Sequence, residues 1–181
     1  MKKLKKPGKK VIGIVAAVFV VVVGGILALV LYMNREVAPW DTVSWSTTRE
    51  DIRGRFGEPD YSTKGKGGIH YDHYNDYEFL GASGMISYHY IEDKDSSTIT
   101  SVGWHYYAPD GKEAKEELVK RLKNYLTDRF GAPHKYEHLD NFYHEDFWYD
   151  SDGNEITLLE YFYDPDPYAE VELSYYFYNN D

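Results

Sequence analysis

The sequence predicts an α+β fold: an N-terminal single transmembrane helix, followed by a tandem repeat of helix plus antiparallel strands forming one sheet with its helices on one face. Three observations predict it. Residues 11–32 carry no charge. The stretch Arg55-Phe56-Gly57-Glu58-Pro59 returns as Arg129-Phe130-Gly131-Ala132-Pro133. After each copy come tyrosine-rich segments whose apolar residues alternate with a period of two, the pattern of half-buried strands.

Residues 1–10 form a basic cytoplasmic tail, with Lys2, Lys3, Lys5, Lys6, Lys9 and Lys10 and no acid. Residues 11–32 follow as the expected transmembrane helix, long enough at 1.5 Å per residue to cross a hydrocarbon core of roughly 30 Å. The lysines place the amino terminus in the cytoplasm and the remainder outside. A cleaved signal peptide is the alternative. Its apolar region would run about 7–15 residues and end at a small-residue cleavage site. Ala38, with Glu36 before it and Pro39 after it, makes a poor one. Residues 33–46 form a connector. Within it Trp40 suits the membrane interface or packing on the domain, and Trp45 suits packing just before a helix.

The first repeat spans residues 47–109. Thr47-Thr48-Arg49-Glu50 reads as a capping box that opens a helix of about two turns. Gly57 permits a left-handed turn past its end, and Pro59 blocks continuation. Lys64-Gly65-Lys66-Gly67-Gly68 reads as a surface loop, because no helix opens behind its glycines. Strands are expected over residues 69–74, 77–80, 85–91 and 98–107. The run from Glu92 to Ser97 is a polar hairpin connection.

The second repeat spans residues 110–181. Asp110 is the expected N-cap of a long helix, with Glu113 three positions on. Ala114, Leu118, Val119, Leu122, Tyr125, Leu126 and Phe130 make one apolar stripe. Strands follow over 134–139, 141–150, 155–163 and 169–178, with a hairpin turn at Ser151-Asp152-Gly153-Asn154. Between copies, Ile86, Tyr88 and Tyr90 align with Leu159, Tyr161 and Tyr163. Gly103 to Tyr107 aligns more loosely with Ser174 to Tyr178.

The 181-residue chain carries a net charge of −10. Setting the basic tail aside leaves an acidic remainder, which argues against a nucleic-acid partner, since phosphate binding needs a basic surface. The chain has no cysteine. That removes disulfides, thiol nucleophiles and zinc–thiolate sites, and an extracytoplasmic domain without them stands on its core alone. Together these features point to the cell membrane of a bacterial envelope.

Helix, Phe-Gly-x-Pro and aromatic strands in tandem resemble the beta-lactamase-inhibitor-protein architecture. Each single unit is similar to the small outer-membrane-assembly lipoproteins (SmpA/OmlA). The resemblance covers about residues 47–178 and implies a sheet whose helix-free face binds another protein. The chain departs from both families in lacking the inhibitor's disulfide cysteines and the lipoproteins' lipidated cysteine. A beta-lactamase is therefore not implied as partner.

Composition bears most directly on function. The chain holds 19 Tyr, 8 Phe and 4 Trp, more rings than one apolar sheet face needs. Tyrosine buries area at low entropy cost and keeps a polar end, which suits a contact surface. It also replaces aliphatic residues on half-exposed strands, where its propensity is high. Tyr106, Tyr176 and Tyr178 are the candidate binding residues, and a protein or peptide in the cell envelope is the expected partner. Cell-wall carbohydrate is the alternative, and a metal-dependent or hydrolytic enzyme the third reading. No catalytic or metal-ligating residue and no cofactor is assigned. His70, Asp72 and His73 lie close in sequence, but strand alternation points His73 away from the other two. Asp150 to Glu155 has the start of a calcium loop with a misplaced glycine, so it reads as a turn. Ser83 lacks the glycine spacing of a nucleophile elbow.

Overall fold

The computed structural model describes residues 20–25, 37–107, 111–136, 143–161 and 170–178. Residues 20–25, in the N-terminal unit, are helical. The second unit begins at Val37.

Local chemistry sets both helix boundaries. Helix α1 (Arg49–Phe56) opens on a capping box. Thr48 Oγ1 accepts from the Asp51 N–H at 3.1 Å, and Asp51 Oδ2 accepts from the Thr48 N–H at 2.9 Å. The reciprocal acid is therefore Asp51, one place beyond the expected Glu50. Helix α2 (Lys112–Phe130) follows Gly111, which offers no side-chain cap. The expected cap, Asp110, lies outside the described residues. Gly57 and Gly131 close the two helices at φ 84° and 86°, where a side chain would be strained. Each donates its N–H back into the last turn, to Arg53 O and Thr127 O.

The strands are β1 (Tyr61–Lys64), β2 (His70–Phe79), β3 (Ala82–Tyr90), β4 (Ile99–Tyr107), β5 (His134–Tyr136), β6 (Tyr143–Tyr149), β7 (Glu155–Tyr161) and β8 (Glu170–Tyr176). They form one antiparallel 8-stranded sheet in the order β1-β2-β3-β4-β8-β7-β6-β5. Two hairpin series thus run inward from opposite edges and meet at β4 and β8, where Gly103 lies opposite Ser174.

Both helices lie on one face. Ile86, Trp104, Leu173 and Leu158 are register partners across β3, β4, β8 and β7, so they share that face. Over one part of it Leu118, Val119, Leu122 and Leu126 of α2 join Phe79, Trp104, Trp148, Ile156 and Leu173 in a continuous core. Over the other part Ile52 of α1 packs with Ile86, Tyr88, Tyr90 and Val102. Helix α1 is also held by charge. Buried Arg49 donates from Nε and Nη2 to both oxygens of fully buried Asp72 at 2.7 and 2.6 Å, and from Nη1 to Asp93. This fork is the bidentate geometry in which guanidinium binds carboxylate most strongly.

The expected fold class is corrected by these findings. Among the described residues no helix is long and apolar enough to cross a membrane. Of the expected span over 11–32 only residues 20–25 are described, and the rest lies outside the described residues. The architecture of the described chain is a single broad antiparallel sheet carrying two helices, with strands rather than helices setting it. The expected span rested on length and hydropathy alone. The described part of it, residues 20–25, is helical but far shorter than the roughly 20 residues a membrane-crossing helix requires.

Three local expectations are corrected too. Leu159 does not correspond in space to Ile86: it pairs with Glu172 on the opposite face, because a one-residue slip in a strand alignment turns every side chain over. Trp45, expected to pack, is 56% exposed, whereas Trp40 takes the domain-packing one of its two expected places, 5% exposed and stacked on Tyr175 at 5.2 Å. The segment 61–64, not foreseen as a strand, pairs with residues 70–73 as the edge strand β1.

Candidate functional site

Alternation along each strand sends every second side chain to the face that no helix among the described residues covers. Across that face the registers assemble a row of small residues: Ser87 on β3, Gly103 on β4, Ser174 on β8 and Thr157 on β7. Four strands at the usual spacing make this band about 14 Å wide. Ser101 borders it and is buried like the others.

Rings stand at both ends of the band. On one side His73 stacks on Tyr61 at 4.4 Å and lies parallel to Tyr71 at 6.1 Å, and Tyr71 meets His89 edge-on at 4.5 Å. On the other side His134 stacks on Phe147 at 5.2 Å, and Tyr149 meets both. Tyr143 and Tyr161 lie together at 5.9 Å. Phe147, Glu155, Leu159, Tyr161 and Tyr176 are half-buried, and Tyr149 is exposed.

A hydrogen-bonded chain runs through the band. Ser101 Oγ meets His89 Nδ1 at 2.7 Å. Ser87 Oγ meets His89 Nε2 at 3.1 Å and His105 Nε2 at 3.3 Å. His105 Nδ1 faces Glu172 Oε2 at 3.9 Å. One proton assignment satisfies the hydroxyl and imidazole groups: Ser101 donates to His89, His89 to Ser87, and Ser87 to His105. Gly103 leaves room for this crossing. A Cβ there would stand 3.0 Å from both Ser87 Oγ and His105 Nε2.

Burial sets the electrostatics of the histidines. His89 is held neutral, its pKa pushed down to about 3 by desolvation and then by the neighbouring His105 and His73. His73 is pushed down by the same causes, burial first and then His105, against a weaker pull from Asp72. Thr63 Oγ1 engages His73 Nε2 at 2.9 Å. His73 Nδ1 is buried and has no hydrogen-bond partner.

The carboxylates of the two faces differ in their partners. On the helix side Asp72 meets Arg49, Asp146 meets Lys123 at 2.7 Å, Glu160 meets Lys115 at 3.7 Å, and Asp41 meets Arg129. On the open face Glu172 accepts from Ser174 at 2.9 Å and Tyr161 at 3.4 Å, and Glu155 accepts from Tyr149 at 3.2 Å and Thr157 at 3.3 Å. Among the described residues neither of these two meets a Lys or Arg.

The order Ser87, His105, Glu172 has the residue types of a nucleophile, base and orienting acid. The geometry does not suit acyl transfer. Ser87 is 1% exposed, and it lies mid-strand, where the sheet ladders on both sides engage the backbone N–H groups that an oxyanion hole would require. Nor does any group of three His, Cys, Asp or Glu among the described residues have a metal-holding arrangement. In the His70, Asp72, His73 run, Asp72 faces Arg49 on the core side.

Of the residues expected to bind, Tyr176 lies on this face, opposite Ser101 and Glu155. Tyr178 is 49% exposed just past β8, with its N–H donated to Asn154 Oδ1 at 3.1 Å. Tyr106 is a correction. It is 6% exposed and belongs to the core beside Trp104, on the helix side. Trp104 to Tyr107 is aromatic or imidazole at every position, so the run hides its own phase. His73, Ser87, His89, His105, Ser174 and Glu172 were not singled out as a group. The signal was present in one strand, where Ser87 and His89 alternate with Ile86, Tyr88 and Tyr90. Their convergence with β4 and β8 depends on register.

Compared with known proteins, the chain matches no family model, no curated protein and no solved structure.

Proposed function

We propose that this domain is a recognition module that holds a segment of a protein or peptide against the helix-free face of its sheet. One observation carries the reading: a band of small residues, three of them hydroxyl-bearing, crosses four central strands between two groups of rings, on a face that no helix among the described residues covers. Small side chains raise no bulk at the centre of the face, and rigid rings supply contact area at low entropic cost. The resemblance to beta-lactamase-inhibitor proteins supports the same face, since in that architecture the side away from the helices is the binding side.

The test is a peptide library selected against the full chain, with binders measured by fluorescence anisotropy on the unaltered chain and on Ser174→Tyr. That substitution raises a ring from the middle of the band. The expected result is a loss of affinity of at least about tenfold, a difference of 1.4 kcal/mol. Selected peptides that bind both chains equally would place recognition elsewhere. No selected peptide, together with a Ser174-dependent response to soluble cell-wall oligosaccharides, would replace this reading with the carbohydrate one.

A further inference from the structure

The open face has a charge pattern that specifies its occupant more narrowly, given the recognition reading above. On the helix side Asp72, Asp146, Glu160 and Asp41 each face a Lys or Arg of this chain. On the open face Glu172 and Glu155 are oriented by hydroxyl donors and, among the described residues, meet no such cation. Glu172 is 22% exposed, so its charge is accessible from solvent while being partly desolvated. Nearby, His89 is neutral and adds no positive charge, and the imidazole facing Glu172 is His105, whose Nδ1 stands 3.9 Å from Oε2. His73 contributes a buried nitrogen without a partner.

We propose that the partner segment is basic and extended, and that it seats one guanidinium or ammonium group on Glu172 and a second on Glu155. A fixed, partly desolvated carboxylate with no lysine or arginine of its own gains most from a donor that arrives with the ligand. The strands also set a spacing. Glu155 lies opposite Tyr176, four residues along β8 from Glu172. At the rise of an antiparallel strand that is about 13 Å along the chain direction. An extended peptide places residues i and i+4 at the same separation and on the same side, whereas residue i+3 points away. Between the two acids lie the small, buried side chains of Ser174 and Thr157, so no long side chain stands between them in the register.

The experiment uses the purified full chain and a fluorescent Arg-Gly-Ser-Gly-Arg peptide, beside twins in which either arginine is replaced by neutral citrulline. The arginine peptide should bind about tenfold more tightly than either twin. Glu172→Gln should abolish the preference at one position and Glu155→Gln at the other, with the melting temperature recorded for both variants. A peptide with one residue fewer between its arginines should lose most of the gain. Equal binding of the arginine and citrulline peptides, or a preference that survives both folded variants, would overturn the proposal. If that happens while Ser174→Tyr still blocks library-selected peptides, recognition by this face stands and only the basic character of its partner falls.

Discussion

The two faces of the sheet are built on opposite rules for charge. The helix-covered face neutralises its acids internally. Asp72 is wholly buried and receives a two-pronged guanidinium from Arg49, with Arg53 at 3.7 Å. The open face carries its acids at partial exposure and surrounds them with hydroxyls and imidazoles. A buried carboxylate without a cation is costly, so the first arrangement is what stability requires. The second is tolerable only where solvent or a ligand completes the shell. The contrast separates groups that hold the fold from groups left available for binding.

The largest effects should come from the covered face. Arg49→Ala leaves Asp72 buried without its main counter-charge, a change that costs about 3–5 kcal/mol where a buried pair is broken. Leu122→Ala, at a fully buried position in the α2 stripe, should cost about 2–5 kcal/mol through lost contacts and the cavity left behind. Denaturant titration measures both. The ionic attachment of α1 would be weaker than the geometry implies if Arg49→Ala moved the midpoint no more than a surface substitution does.

Acid should sharpen the comparison by addressing the faces in different pH windows. His89, on the open face, has a folded pKa of about 3 against 6.5 for the free side chain. Between those values the unfolded chain binds a proton that the folded chain refuses. Stability therefore falls as pH drops from about 6.5 toward 3, and His73 acts with the same sign. Asp72 enters lower. Burial would raise its carboxyl, but the hydrogen bonds from Arg49 and Ser62 and the charges of Arg49 and Arg53 outweigh it and hold it below 3.8. Its contribution is complete above that value and is lost as pH falls through the depressed folded value. His89→Gln should flatten the slope between pH 6.5 and 4.5 and leave the loss below pH 4 in place. A slope unchanged by that substitution would assign the upper window to other groups.

Much of the fold was legible because its signals are local. The α2 stripe from Leu118 to Leu126, the glycines at 57 and 131, and the turn at 151–154 each state their structure within a few residues. The corrections at Tyr106, Leu159 and Trp45 share a different cause: these residues are placed by phase or by tertiary packing, and no short window fixes either. Where every position is a ring, as from Trp104 to Tyr107, period-two reading cannot tell inside from outside. The site was less legible for the same reason. Ser87, Gly103 and Ser174 come from three strands, and Gly103 meets Ser174 only because β4 pairs with β8, a contact between the middle and the last strand of the domain sequence.

The smallest expected effect is also the sharpest test of the contrast between faces. Asp146→Asn and Glu172→Gln each remove one negative charge and keep the side-chain shape. Asp146 is 6% exposed and faces Lys123 at 2.7 Å. Lys123 is 38% exposed, so solvent screens the pair and its loss should cost only about 1 kcal/mol. Glu172→Gln retains an acceptor for the Ser174 and Tyr161 hydroxyls and breaks no ion pair with Lys or Arg. Its effect on stability should stay within about 0.5 kcal/mol. Paired urea titrations at neutral pH decide between the two. A Glu172→Gln loss as large as that of Asp146→Asn would make Glu172 part of what holds the sheet together. A neutral result would mean that its charge brings no benefit to the folded domain alone and is available to a ligand, which the paired arginine and citrulline peptides then test.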